Sequence, residues 1–354
     1  MALLSPSSRL ASQISVDPRS LNHEQFFPTS IPELNHLSNE FARVVDHRYL
    51  TSELSEPQRA AVNIAKGVLK NYPGLVNELP LAIQCEQSRS GLPKSVHFFG
   101  SNDEFILRCG LMALYSWSFS IADSRVEEAV AAAHVSGKKI GKEEILQTAF
   151  TSKVTDIPIM QGKTSRSISV GEILESVIPS LEGTFGFEGS PQRKQLLGTV
   201  IQSQLHGLDL VKNFARNGVP YSIEEATSYL NGTVVDYGRL LASLLFSDEN
   251  KRKQFTKMIA VYNLRDDRED FLADLFSQPN VYLAVAFQKT GLQAFVQKWK
   301  ELNAQVMPHS GMKHDSEVSQ KIVKRFGKLF VAAHPGLNRA FNEITRDVLI
   351  AVAE

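Results

Sequence analysis

From residue 33 onward, apolar side chains recur every three or four residues, and almost no stretch alternates with a period of two. That spacing builds one apolar stripe along an α-helix but mixes both faces of a β-strand. ELNHLSNEFARVV (33–45) carries Leu34, Leu37, Phe41 and Val44/Val45 on one face. SEPQRAAVNIAKGVLKNY (55–72) opens with a Ser cap and a Pro near the first turn. Residues 102–135 read as one long helix, with Asn102 as cap and Ser136-Gly137 as stop. A helix over 191–218 stops at Asn217-Gly218-Val219-Pro220. The next, 222–246, starts with a capping box of Ser222 and Glu225. Residues 250–276 are helical again, and two or three helices follow up to Glu354. Asn231-Gly232 falls inside a helical stretch, so it marks no hairpin, and the Thr/Ser/Lys-rich 151–169 reads as a loop. No fixed-period repeat is present. The expectation is an all-α protein: a single large helical domain over 31–354, after an N-terminal extension, 1–30, that reads as disordered.

Composition narrows the function classes. Lys+Arg and Asp+Glu both number 38, so no net charge draws the chain to nucleic acid. The two cysteines, Cys85 and Cys109, stand alone in apolar contexts, which fits a reducing compartment without disulfides. There is no CxxC or His/Cys spacing of the kind zinc requires. No uninterrupted apolar run reaches the ~18–20 residues of a membrane span. Residues 1–16, MALLSPSSRLASQISV, hold one Arg, several Ser and no acid, a weak likeness to organelle-targeting segments. The plainer reading is an extension on an intracellular, cytoplasmic protein. His206 on an apolar helix face reads as a packing residue.

The residues with chemistry are acidic. VYNLRDDREDF (261–271) places Asp266 and Asp270 four residues apart, on one helix face. Such a like-charged pair weakens an isolated helix by a few tenths of a kcal/mol, unless a cation meets it. Arg265 and Arg268 could supply that cation, and a solvated helix face is the plainer reading of this stretch alone. A second pair, Asp123 and Glu127, follows about four turns of helix that is apolar nearly all round. A carboxylate there is costly unless paired or bound to metal. Two such pairs facing each other across a bundle offer hard oxygens that suit Mg²⁺ completed by substrate phosphates. The chemistry this serves is ionisation of an allylic diphosphate, with the apolar interior sheltering a carbocation. Tyr115, Trp117, Phe119, Tyr229 and Tyr237 could stabilise that cation, or serve simply as core.

Taken together, these segments resemble the squalene/phytoene synthase family, the head-to-head trans-isoprenyl diphosphate synthases. That family carries two acidic DxxxD motifs, the second within NxxRDxxED. LRDDRED (264–270) keeps Arg265, Asp266, Glu269 and Asp270 in register, and Asp123-Ser-Arg-Val-Glu127 resembles the first motif. Tyr229 to Gly238 is similar to YxxxVAGxVG, with LLASLLF (240–246) continuing it. QLHGLDL (204–210) is similar to the preceding helix, and PNVYLA (279–284) to GRxYLP, retaining Tyr282 and Leu283. The order holds across roughly residues 100–285. Departures fall on diphosphate and metal contacts: Ser116, Ser120, Ile259, Tyr262 and Asn280 stand where the family has other residues.

The resemblance implies a class I isoprenoid/terpenoid synthase fold and Mg²⁺ held by Asp123, Glu127, Asp266 and Asp270. It implies Tyr229 and Arg265 as catalytic residues. Ser120, Tyr237, Gly238, Asn263, Glu269 and Tyr282 are the implied substrate contacts. Arg108, Arg125, Lys138, Lys139, Arg239, Arg265 and Arg268 are candidate replacement cations for the altered shell. The implied activity is a transfer or terpene-synthase reaction on a prenyl diphosphate: head-to-head condensation or cyclisation of a single substrate. NADPH, needed for squalene formation, stays open, as does the oligomeric state. Peripheral membrane contact through a lipophilic product is compatible with this. The alternative is a catalytically inactive relative that serves as an interaction or assembly factor.

Overall fold

Helix caps and breakers set the observed elements. The structure is a computed structural model that describes residues 32–50, 52–71, 75–87, 103–136, 141–151, 153–154, 168–187, 191–276, 278–293, 296 and 317–353. The protein is all-α, with a two-residue antiparallel bridge, β1 (Lys153–Val154) to β2 (Ile168–Ser169), inside the stretch expected to be loop. The expected extension and the Asn102 cap lie outside the described residues.

Two compact units emerge among the described residues. One is built from Leu21–Arg193 with Leu241–Phe255, the other from Lys194–Leu240 with Thr256–Glu354.

The first unit holds α1 (Pro32–Tyr49), α2 (Glu56–Asn71), α3 (Leu75–Gln87), α4 (Asp103–Ser136) and α5 (Lys142–Thr151). A π turn, Ile173–Val177, leads into α6 (Ile178–Phe185), which ends at Gly186 with φ of 72°. Ser55 opens α2 as expected: its N–H and hydroxyl both donate to Gln58 Oε1 (2.9 and 2.8 Å). α1, α2 and α4 pack on one another, and α6 packs on α2 and α4. Phe41 meets Phe185 edge-on at 6.1 Å. The stretch Asp103–Ala122 of α4 is long and apolar enough to cross a membrane by length and composition, which corrects the expectation of no such run. Arg108 breaks the apolar run in sequence without removing the average. Of that window, 67% is buried inside the protein, as in a core helix.

The second unit holds α7 (Pro191–Asn217), α8 (Ile223–Leu230), α9 (Asp236–Leu245) and α10 (Glu249–Asp270), all but α8 in part. A 3₁₀ turn, Ala273–Phe276, follows, then α11 (Val281–Thr290), α12 (Glu317–Ala333) and α13 (Pro335–Ala353). The capping box forms: Ser222 Oγ accepts from the Glu225 N–H (3.1 Å) and Glu225 Oε2 from the Ser222 N–H (2.7 Å). Between α8 and α9 the expected continuous helix widens into a π turn, Asn231–Val235. Gly232 lies there against α7, where an added Cβ would stand 1.7 Å from Ser203 Oγ. The core of this unit joins Phe214, Tyr282, Phe341 and Phe271 with the apolar face of α11. Phe341 meets Tyr282 at 4.9 Å and Phe271 at 5.4 Å, both edge-on.

Candidate functional site

The acidic stretch sits on the last two turns of α10. Asp266 is exposed and Asp270 is half-buried. Lys324, reaching from α12, places Nζ 2.8 Å from Asp270 Oδ2. This contact leads the influences that raise the Lys324 ammonium pKa. Asp270 Oδ1 is buried and accepts no hydrogen bond. A buried carboxylate oxygen without a donor is costly, and a bare cation is one group that satisfies it. Asp266 lies one turn before Asp270 on the same helix face. Among the described residues no group of three or more His, Cys, Asp or Glu is gathered for a metal. Asp123 and Glu127, the implied other half, lie in α4 with side chains outside the described residues, and they belong to the other unit.

The arginines of the same stretch turn elsewhere. Arg268 donates through Nη1 to Asn342 Oδ1 (2.8 Å) and through Nη2 to Asn338 Oδ1 (2.6 Å), over the Phe341 ring. Arg265 Nε lies 3.6 Å from Glu269 Oε1. Both guanidiniums and Glu269 line a groove of about 560 Å³. Its floor includes Val261, Leu264, Tyr282, Phe341 and Leu349, and Lys328 joins the rim. Neither Asp266 nor Asp270 lines it.

Behind the stretch, Asn280 forms a buried hub. It caps α11, its Oδ1 accepting from the N–H groups of Tyr282 (2.9 Å) and Leu283 (3.2 Å). Its Nδ2 donates to Asp274 Oδ2 and to the Asp267 carbonyl, each at 2.7 Å, and its own N–H to Tyr221 Oη (3.1 Å). Burial raises Asp274 to about 6 and pushes Asp267 well above the usual carboxylate range. The amide capacity of Asn280 is thus used within the fold.

The other implied residues have these places. Tyr229 is buried, donates to Gln204 Oε1 (3.2 Å) and packs on Gly207, where an added Cβ would lie 2.3 Å from its ring. It lines a second cleft of about 480 Å³ with Gln202, Ser203 and His206. His206 is exposed, which corrects its reading as a packing residue: α7 turns that face to solvent. Gly238 on α9 faces α10, where an added Cβ would make ordinary contact with Thr256 at 3.4 Å. Asn263 Nδ2 donates to the Ile259 carbonyl of its own helix (2.9 Å). The Tyr282 hydroxyl shares a hydrogen bond with Thr345 Oγ1 (2.8 Å), and burial raises it to about 12. Ser120 is exposed on α4, and Tyr237 is half-buried on α9.

Of the replacement cations, Arg108 pairs with Glu104 (2.7 Å), donates to the Leu244 carbonyl (2.9 Å) and covers the Phe187 ring. Arg239 pairs with Asp236 (3.0 Å), and Lys138 and Lys139 lie outside the described residues. Sequence reading missed Lys324, Asn338, Asn342 and the Asn280 hub. A signal existed for the last: an Asn directly before the apolar run VYLAVAF has the pattern of an N-cap. Lys324 and the asparagines lie some 50–80 residues from their partners, beyond any local pattern.

No family model, curated protein or solved structure matches the chain.

Proposed function

We propose that the chain is a divergent, Mg²⁺-dependent terpenoid synthase acting on a prenyl diphosphate, by condensation or by cyclisation. The observation that carries this is the buried, unbonded Asp270 Oδ1 one turn from Asp266. Asp266 and Asp270 would hold the metal, joined in the resemblance by Asp123 and Glu127. Bound there, Mg²⁺ supplies charge neutralisation of a departing pyrophosphate. Lys324 keeps Asp270 in place and offsets its charge, and exchanging that ammonium for a metal leaves Lys324 free to contact phosphate oxygens. Tyr229, aligned by Gln204, is a phenol of fixed orientation at a cleft. The test is incubation with farnesyl or geranylgeranyl diphosphate and Mg²⁺. Pyrophosphate release that falls at least 100-fold in Asp266→Ala and Asp270→Ala is expected (roughly the loss for an electrostatic transition-state contact). No release from the unaltered protein overturns it.

A second reading rests on a specific observation. Asp270 is ion-paired with Lys324, Arg268 is held by Asn338 and Asn342, and Asn280 is used within the fold. A chain that satisfies these groups internally can keep a synthase-like frame without catalysis and act as an interaction or assembly factor. A thermal shift with Mg²⁺ and pyrophosphate together separates the two. A working site gains stability by mass action, while an inactive frame does not respond.

A further inference from the structure

From 318 to 333, α12 carries Lys321, Lys324, Arg325 and Lys328 and no acidic residue. Lys324 is committed to Asp270. Arg325 and Lys328 are exposed and form no ion pair among the described residues. The helix already has a face toward the core. Gly327 seats it against Phe271, and Val323, Phe330 and Val331 are half-buried. At ~100° per residue, Leu329, Ala333 and Phe326 stand roughly 100–160° round the helix from Gly327. They form a second apolar strip that faces water: Phe326 is 48% exposed and Leu329 61%. Arg325 and Lys328 continue the same exposed arc beyond Leu329.

We propose that this outer face of α12 docks on an anionic lipid surface. Phe326 and Leu329 enter the boundary between head groups and acyl chains, and Arg325 and Lys328 meet the head groups. The pattern that carries this is an apolar strip beside cations that nothing in the fold answers. An anionic bilayer matches both parts at once, offering negative charge at its surface and an apolar layer just beneath. A neutral bilayer would leave the cations unmatched. A second copy of the chain would set Arg325 and Lys328 against the same cations, with no acid of α12 to answer them. The four residues take no part in the proposed reaction, so the contact does not depend on it.

The test is co-sedimentation of the full chain with vesicles of phosphatidylcholine alone, and of phosphatidylcholine with one part in four phosphatidylserine. Binding to the anionic vesicles should be about tenfold or more tighter than to the neutral ones, and should weaken as salt rises. Arg325→Glu combined with Lys328→Glu should lower it about tenfold or more. Phe326→Ser combined with Leu329→Ser should do the same, with thermal melts verifying that both variants fold. Val219→Ser, at another exposed apolar position, should leave binding unchanged (Val219 is 55% exposed). Fluorescence of Phe326→Trp should shift to the blue on anionic vesicles, relative to the unaltered protein. Any of four results overturns the proposal: no vesicle binding, equal affinity for neutral vesicles, full affinity in both double variants, or an equal loss in Val219→Ser. A dimer in sedimentation equilibrium that dissociates in Phe326→Ser/Leu329→Ser would assign this face to a second copy and overturn it as well.

Discussion

Among the described residues, each unit buries a polar centre, and the two are built on different plans. In the first unit, Arg193 Nη2 lies 2.7 Å from Glu182 Oε1 with both side chains 8% exposed. The oxygen accepts no aligned hydrogen bond, so the pair is held by charge. Burial raises Glu182, while Arg193 and Arg108 oppose that rise. In the second unit, Asn280 gathers Asp274, Asp267, Tyr221 and the first turn of α11 through aligned hydrogen bonds and no cation. A cation opposes the rise of a buried acid's pKa by charge and an amide by hydrogen bonding alone, and in both centres desolvation still raises it. The first plan fails by leaving a charge alone, the second by leaving donors and acceptors alone.

Four changes break or sharpen this contrast. Removing one half of the charged pair should cost most. Arg193→Leu is expected to lose about 3–5 kcal/mol in chemical denaturation, and adding Glu182→Leu should recover most of it. Equal losses in the single and double variants would show that Arg193 acts through packing. Asn280→Ala comes next, at about 2–3 kcal/mol, because it strips the α11 cap and takes one of the donors from buried Asp274. Asn280→Asp should retain the cap but repel Asp274, and so recover little above pH 6.

The third is a pH effect. Asp274 is raised to about 6, by burial first, with the donors on Asn280 and Gln278 opposing and Asp270 and Asp266 adding. The folded protein therefore holds this proton more tightly than the unfolded chain does. Stability is highest while Asp274 is protonated, falls as pH rises from about 4 to 6, and levels off above that. Asp274→Asn should remove that fall, gaining up to ~2 kcal/mol over the unaltered protein at pH 8 and nothing at pH 4. Parallel curves of stability against pH would refute it. The smallest effect belongs to Lys324→Gln. The side chains of its pair are 39% and 20% exposed, which limits the loss to about 1 kcal/mol. Under the metal reading the same variant should bind Mg²⁺ more tightly, since the competing ammonium is gone.

The helical course of the chain was legible because caps and periodicity are local. Ser55, the Ser222–Glu225 box and the Asn217-Gly218 stop each act within four residues of themselves. The π turn at Asn231–Val235 was not legible, and neither was the seating of its Gly232 against Ser203 on another helix. The acidic pair at Asp266 and Asp270 could be read from spacing alone. Which partner meets each group could not. Spacing assigns Arg265 and Arg268 to the acids, yet Arg268 bonds two asparagines of α13, and Asp270 takes a lysine of α12.

Local rules thus gave the all-α class, the ends of most described helices and the positions of the carboxylates, since propensity and side-chain direction repeat every turn. The partners of Asp270 and Arg268, the hub at Asn280 and the groove beside α10 came from segments distant in sequence. Their geometry depends on how α11, α12 and α13 pack on α10, and that packing is set by the shape and burial of the whole core, which no local window contains.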